Sequence, residues 1–423
     1  MTAAALAARV RTDLRNPLFL QGYALMANTG ITAVLGLGYW MLASRLYSPE
    51  AFGEGQALIS AMRLFSSLTG LALAGVLARF IPVAGRRTGE LIVRGYLLAG
   101  LAGLAAALGF LLTLPLWGPA YARLDGLVPG LLFLGSVLVW TVFTLQDVAL
   151  TGLRSAILVP VNSLLYGLVK MALLAGLAAG LPETGVFTSW IVPTAIALIP
   201  VNWYIFRRLL PRAAARDTEP PTTAQIGRFL AGDVPGALSA LLIVFLVPVL
   251  VAVWLGDARL FGYFCVAHTL GCMIALLPAN MGISLTVEGA LDPGHLARKT
   301  RSALRRAFAV VGPVVALVFA AAPLILRPFG AELAEHGAPL LRLMALAVLP
   351  ATVIEIHLST LRALRAARRL AAVQIGLAVL VLGAVSLAFP IWGMAGVGYA
   401  ILASQLLVAA LVVRHLRGHM TKH

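Results

Sequence analysis

The sequence predicts an all-α integral membrane protein with twelve transmembrane helices, and three observations carry that reading. Of the 423 residues, 61% are apolar and 11% charged, where soluble proteins average about 45–50% and about 25%. Side chains of this composition cannot cover a water-soluble surface. Apolar runs long enough to span a bilayer recur at about 18–43, 56–82, 91–117, 127–150, 157–180, 186–206, 229–254, 260–287, 307–327, 338–361, 370–390 and 393–413. Finally, the cations alternate between the loops as the positive-inside rule requires.

That alternation fixes the expected orientation. Alternate loops hold 25 of the 32 Lys and Arg, within 9–15, 79–94, 154, 207–228, 298–306, 362–369 and 414–422. The opposite loops hold Arg45, Arg123, Arg259 and Arg327, and Arg63, Lys170 and Arg342 fall inside spans. Both termini are therefore expected in the cytoplasm of a bacterial cell. The net charge of +16 comes from these loops and does not indicate nucleic acid.

The first run follows three Arg and ends at Ser44–Pro49 with no A-x-A site, so it is expected to be an uncleaved span. Gln21, Asn28, Thr32 and Tyr39 share one of its faces. They line a cavity, or Asn28 and Thr32 hydrogen-bond a neighbouring helix. In the second span Gln56, Ser60, Arg63, Ser67 and Gly70 recur at helical spacing and make one polar stripe. Arg63 there lines a cavity, snorkels outward or pairs with another helix.

Asp147 closes the fourth span and is expected to be solvated or paired with a nearby Arg. In the fifth span Asn162, Tyr166 and Lys170 lie on one face. Lys170 sits near mid-span, where snorkelling is hardest, and is expected to face water or a polar site. After the sixth span, 207–227 is the longest non-apolar stretch and reads as a cytoplasmic linker. It separates six spans in 1–206 from six in 228–423, the arithmetic of a parallel repeat.

The second half offers weaker candidates. Asp233 precedes Pro235 and is expected to cap a helix. Cys265 and Cys272 are seven residues apart, about 10 Å of helix rise, too far for a disulfide. His268 reads as a packing residue. Arg342 lies close enough to the outer boundary to snorkel, or it lines the site with Arg63 and Lys170. Glu355 and His357 point to nearly opposite sides of their helix, and either could exchange an ion during transport, as could Asp233. No cofactor or metal is expected.

All loops on the outer side are short, which leaves no room for the large outer loop of membrane glycosyltransferases and polysaccharide ligases. No Gly-rich phosphate loop is present. The chain is therefore read as a non-enzymatic transporter. In the first six spans the deep charges are cationic, a sign that favours an anionic headgroup over a cationic drug.

Two segments resemble a known family. Residues 38–82 are similar to the start of polysaccharide flippases of the multidrug/oligosaccharidyl-lipid/polysaccharide (MOP) exporter superfamily, through Ala43-Ser44-Arg45, Tyr47, Pro49, Phe52-Gly53 and Arg79-Phe80-Ile81-Pro82. Residues 145–174 resemble the same proteins through Gly152-Leu153-Arg154, Asn162 and Lys170. The resemblance implies two six-helix bundles around a central cavity, alternating between inward- and outward-open states. It also implies a lipid-linked sugar as substrate, with Arg63 and Lys170 placed to meet its diphosphate, and glycosyltransferases or a polymerase of the same pathway as partners. Drug-exporting relatives often carry an acidic residue in the first helix, where this chain has Asn28. Moving two negative charges outward across an inside-negative 100 mV gains roughly 5 kcal/mol, so such export needs no dedicated proton site. A cation-coupled drug exporter of the same superfamily is the nearest rival.

Overall fold

The computed structural model describes residues 17–155, 157–215, 222, 224–227, 236, 238, 239, 241–291, 296–364 and 366–420, with the side chains of 17–27, 72, 283, 284, 287–291, 297 and 415–420 left out. Asp233 lies outside the described residues. Those described form helices and connecting turns, with no strand among them. That is what lipid imposes on long apolar segments, whose backbone polar groups must be satisfied within the segment. The chain divides into two compact units, Met1–Leu230 and Ala231–His423.

The first unit contains α1 (Pro17–Leu46), α2 (Pro49–Phe80), α3 (Thr88–Leu112), α4 (Leu127–Gly152), α5 (Leu158–Leu177) and α6 (Gly185–Tyr204). The sharp turn between α1 and α2 follows from local chemistry. Ser48 accepts a hydrogen bond from the Ala51 amide, Pro49 opens the helix, and Glu50 sits in its positive first turn. The Tyr47 hydroxyl then donates to the Leu174 carbonyl at 2.8 Å, tying the turn to the end of α5. Residue 185 has to be glycine here, because a Cβ would overlap that hydroxyl. Arg123, in the connection between α3 and α4, pairs with Glu54 and with Glu183 (2.8 Å for the latter) and gathers the same end of the unit.

At the other end, Leu77, Ile81, Leu145, Leu150, Ile205 and Leu209 form a buried cluster. Leu209 lies beyond the expected end of the sixth span at 206. Helical geometry continues there through a π turn, Ile205–Leu209, into α7 (Leu210–Ala214). The first third of the expected linker is thus helix, because Leu209 and Ala213 have a core to bury into.

The second unit contains a π turn at Leu242–Leu246, then α8 (Val247–Leu255), α9 (Ala258–Leu291), α10 (Leu296–Leu326), α11 (Ala331–Ala363) and α12 (Ala367–Met420). Helix α11 is its core, packed against α9, α10 and α12. Of the apolar window of α11, 61% is buried, against 28% in α10.

The described parts of all twelve apolar runs lie on helix or on its short terminal turns. Eight helical stretches are by themselves long and apolar enough to cross a membrane, and a ninth is Pro49–Val83, bent by 42° after Leu71. Helix α12 holds two runs, joined at Gly393, where φ is 55° and the α geometry breaks. Leu242–Leu255 is shorter because its run begins outside the described residues. Large apolar side chains cover the outside of the helices, among them Val34, Leu112, Leu116 and Leu127, each more than 70% exposed. Exposure of that kind is tolerated in hydrocarbon and not in water. The protein is a multi-pass membrane protein.

A caged lysine as candidate functional site

Helix α5 places Lys170 inside the first unit, where it is 5% exposed. Three aromatic rings from three helices surround its ammonium. The Nζ atom lies 3.8 Å from the centroid of Trp190, 4.3 Å from Tyr39 and 5.1 Å from Tyr166. Each ring face presents negative potential to a cation, an interaction worth about 2 kcal/mol or more when desolvated.

The walls of the cage are themselves fixed. Tyr39 donates to the Val186 carbonyl at 2.9 Å and lies 3.0 Å from the Ser189 hydroxyl. Trp190 stacks on Trp40 with centroids 5.1 Å apart and packs on Trp140 at 5.7 Å. Tyr166 leans on Phe143 at 5.0 Å. Among the described residues Lys170 makes no ion pair. Burying an ammonium with quadrupoles alone for compensation is costly, and such a site holds charge ready for a partner.

Arg63 on α2 is half-buried and close enough for its charge to act on both Lys170 and Tyr166. The stripe around it divides by depth. Gln56 is buried and its Nε2 lacks a hydrogen-bond partner, whereas Ser60 and Ser67 are half-buried. Asn28 on α1 is half-buried with an unpartnered Oδ1. A buried amide left unpaired forfeits about 1–3 kcal/mol, which a bound hydroxyl or water would recover.

Asn162 does something else. Its Nδ2 donates to Asp147 Oδ1 at 3.4 Å. Asp147 departs from the expectation of a solvated or Arg-paired end residue, and the first unit does hold a half-buried carboxylate. It makes no ion pair among the described residues. The reason is register: α4 runs on to Gly152, so Asp147 faces α5 one turn before the loop. The deep charge of the unit remains cationic, two groups against one.

The candidates in the second unit are engaged locally. Arg342 donates from Nε to the Phe319 carbonyl at 3.1 Å and lies over that ring at 5.8 Å. Glu355 faces Arg362 at 3.8 Å on its own helix, and His357 is buried. His268 stacks on Phe264 at 5.3 Å beside Cys272. Sequence reasoning missed Trp190 altogether and had Tyr39 only as one member of a polar face. A cage of rings becomes visible only once three helices are in register.

With this geometry established, known structures supply the context. No family model and no curated protein matches the chain. Solved structures do. An inward-facing multidrug resistance MATE family transporter of the MOP superfamily aligns over 92% of this chain and 95% of its own, at 15% identity and a TM-score of 0.70. The fold is that of the MATE transporters. An outward-facing multidrug resistance MATE transporter aligns at 14% identity and a TM-score of 0.61, covering 95% and 94%. A third MATE-fold structure, a MOP superfamily transporter from Pyrococcus furiosus Vc1, is described as having a binding pocket of reverse polarity that suggests a different function. It aligns at 14% identity and a TM-score of 0.58, covering 94% of each chain.

Proposed function

We infer that the chain is an alternating-access transporter that moves a polyprenyl-diphosphate-linked oligosaccharide from the cytoplasmic to the outer leaflet. The setting is a bacterial cytoplasmic membrane, with both termini inside and glycosyltransferases or a polymerase of the same pathway as partners. The observation that carries this reading is Lys170, a buried ammonium held by Tyr39, Tyr166 and Trp190 without an ion pair, with Arg63 nearby. A diphosphate entering this region would supply a countercharge to the Lys170 ammonium, with the Arg63 guanidinium nearby. Gln56, Ser60 and Ser67 would then bond sugar hydroxyls along the α2 stripe.

The MATE fold supports alternating access, and the Pyrococcus furiosus transporter named for a reversed pocket polarity is an instance of this fold with an altered pocket. Because the polyprenyl tail stays in lipid, only the headgroup needs a polar path. Glu355, His357 and Asp233 remain the candidates for ion coupling. Export of organic cations is the second reading. It is favoured by Asp147 and by the multidrug transporters among the similar structures.

The two readings separate in proteoliposomes. A fluorescent polyprenyl-diphosphate sugar should become accessible on both leaflets with the wild-type protein, and slowly with Arg63→Gln or Lys170→Met. Export of cationic dyes under a proton or sodium gradient, with the lipid left in place, would replace this reading by the second.

A further inference from the structure

A cavity of about 220 Å³ opens at the inner end of the first unit, between α2, α3 and the turn before α3. It is smaller than the roughly 300–1,000 Å³ of sites that enclose a whole small molecule, so it fits a segment of a longer ligand. Its walls are Leu73 and Leu77 from α2 and Leu91 and Leu98 from α3, and Leu98 is 58% exposed on the outside of the bundle. The two helices approach closely because Gly95 has no side chain. A Cβ there would sit 3.2 Å from the Leu77 methyl.

The rim carries charge. Arg87, Glu90 and Arg94 line it, with Arg94 and Glu90 2.6 Å apart and both well exposed. Arg87, in the turn before α3, and Arg94 on its second turn alternate with Leu91 and Leu98 along one side, so guanidinium and hydrocarbon are interleaved over eleven residues, about 17 Å. Ile226, from the short helix within 224–227, also lines the cavity. Another cavity of the unit, about 660 Å³ at the opposite end, has Asp125 as its charged lining residue and suits no anion.

We propose that this cavity binds an anionic phospholipid of the cytoplasmic leaflet. Its phosphate sits at the rim between Arg87 and Arg94, and one acyl chain lies against the leucine walls at Leu73, Leu77 and Leu98. The charge fits, with two guanidiniums against one carboxylate at the rim, and the leucine walls suit an acyl chain. Contact with Ile226 makes the occupied cavity part of the packing of the segment that leads into the second unit. The site is separate from Lys170, so the proposal stands whatever the transporter carries.

The test uses the full-length protein in detergent, with native mass spectrometry reading retained phosphatidylglycerol against phosphatidylcholine. Wild type should prefer phosphatidylglycerol by about tenfold, and R87Q/R94Q should erase most of that preference, while R45Q on the other side keeps it. Millimolar inorganic phosphate should not displace the lipid, since the acyl chain contributes to binding. Equal retention of the two lipids, an undiminished preference in R87Q/R94Q, or displacement by free phosphate would overturn the proposal. Should the double variant misfold, photoactivatable phosphatidylglycerol on wild type decides the matter. Labelling within 73–98 and at 226 supports the site, and labelling confined elsewhere refutes it.

Discussion

The two units handle buried charge in opposite ways. In the second unit each described ionic group deep in the helices has a local partner, Arg342 on the Phe319 carbonyl and Glu355 on Arg362. The ends of both units are tied by Arg–Glu contacts as well, Arg123 with Glu54 and Glu183 in the first and Arg259 with Glu332 in the second. Among the described residues, only the first unit puts an ammonium among aromatic rings and a second cation beside it. Arg342 and Glu355 are each held by a neighbour in their own unit, whereas charge held in a quadrupole cage stays available to a ligand, which is why the proposed headgroup site is placed in the first unit.

The strongest way to break this contrast is to exchange the two kinds of charge. Lys170→Met should slow headgroup transfer by about tenfold or more, equivalent to about 1.4 kcal/mol in the barrier. Thermal unfolding should meanwhile be unchanged or slightly later, because an isolated buried charge is removed. With no ion gradient imposed, so that coupling is not read, Glu355→Gln should leave the transfer rate within about threefold, since its charge is already balanced by Arg362. A larger loss in Glu355→Gln than in Lys170→Met would reverse the assignment of roles.

Packing changes should give intermediate effects. Gly185→Ala places a Cβ against the Tyr47 hydroxyl and should destabilise by about 1–3 kcal/mol. The double variant with Tyr47→Phe should recover part of that loss, because the clashing oxygen is gone. No recovery in the unfolding midpoint would mean that the contact is not what fixes glycine at this position. Tyr39→Phe removes the hydroxyl bonded to Val186 and Ser189 and should cost about 1 kcal/mol while keeping the ring under Lys170. Transport should persist in Tyr39→Phe and fall in Tyr39→Leu, which keeps an apolar side chain but loses the π face. Ser48→Ala should likewise cost about 1 kcal/mol, from the lost cap of α2, read by thermal unfolding with transport unaltered.

Much of the architecture was legible in the sequence because bilayer thickness sets run length, and the described parts of the runs lie on helix or its terminal turns. Boundaries were less legible. The extension of α6 through Ala214 depends on Leu209 and Ala213 meeting a core that periodicity cannot reveal. Lys170 and Arg63 stood out because a charge in a span is rare, whereas the rings that hold Lys170 look like ordinary apolar residues until three helices are aligned. Asp147 was misjudged for a related reason: being near a loop in sequence says nothing about which helix faces it.

The most direct measurement of the central claim is headgroup accessibility in proteoliposomes, comparing an anionic diphosphate-sugar lipid with an uncharged glycolipid of the same tail, in wild type and Lys170→Met. The cage as an anion site predicts rapid transfer of the anionic lipid by wild type and a selective loss of that transfer in the variant. Equal rates for the two lipids, or an unchanged anionic rate in Lys170→Met, would contradict it.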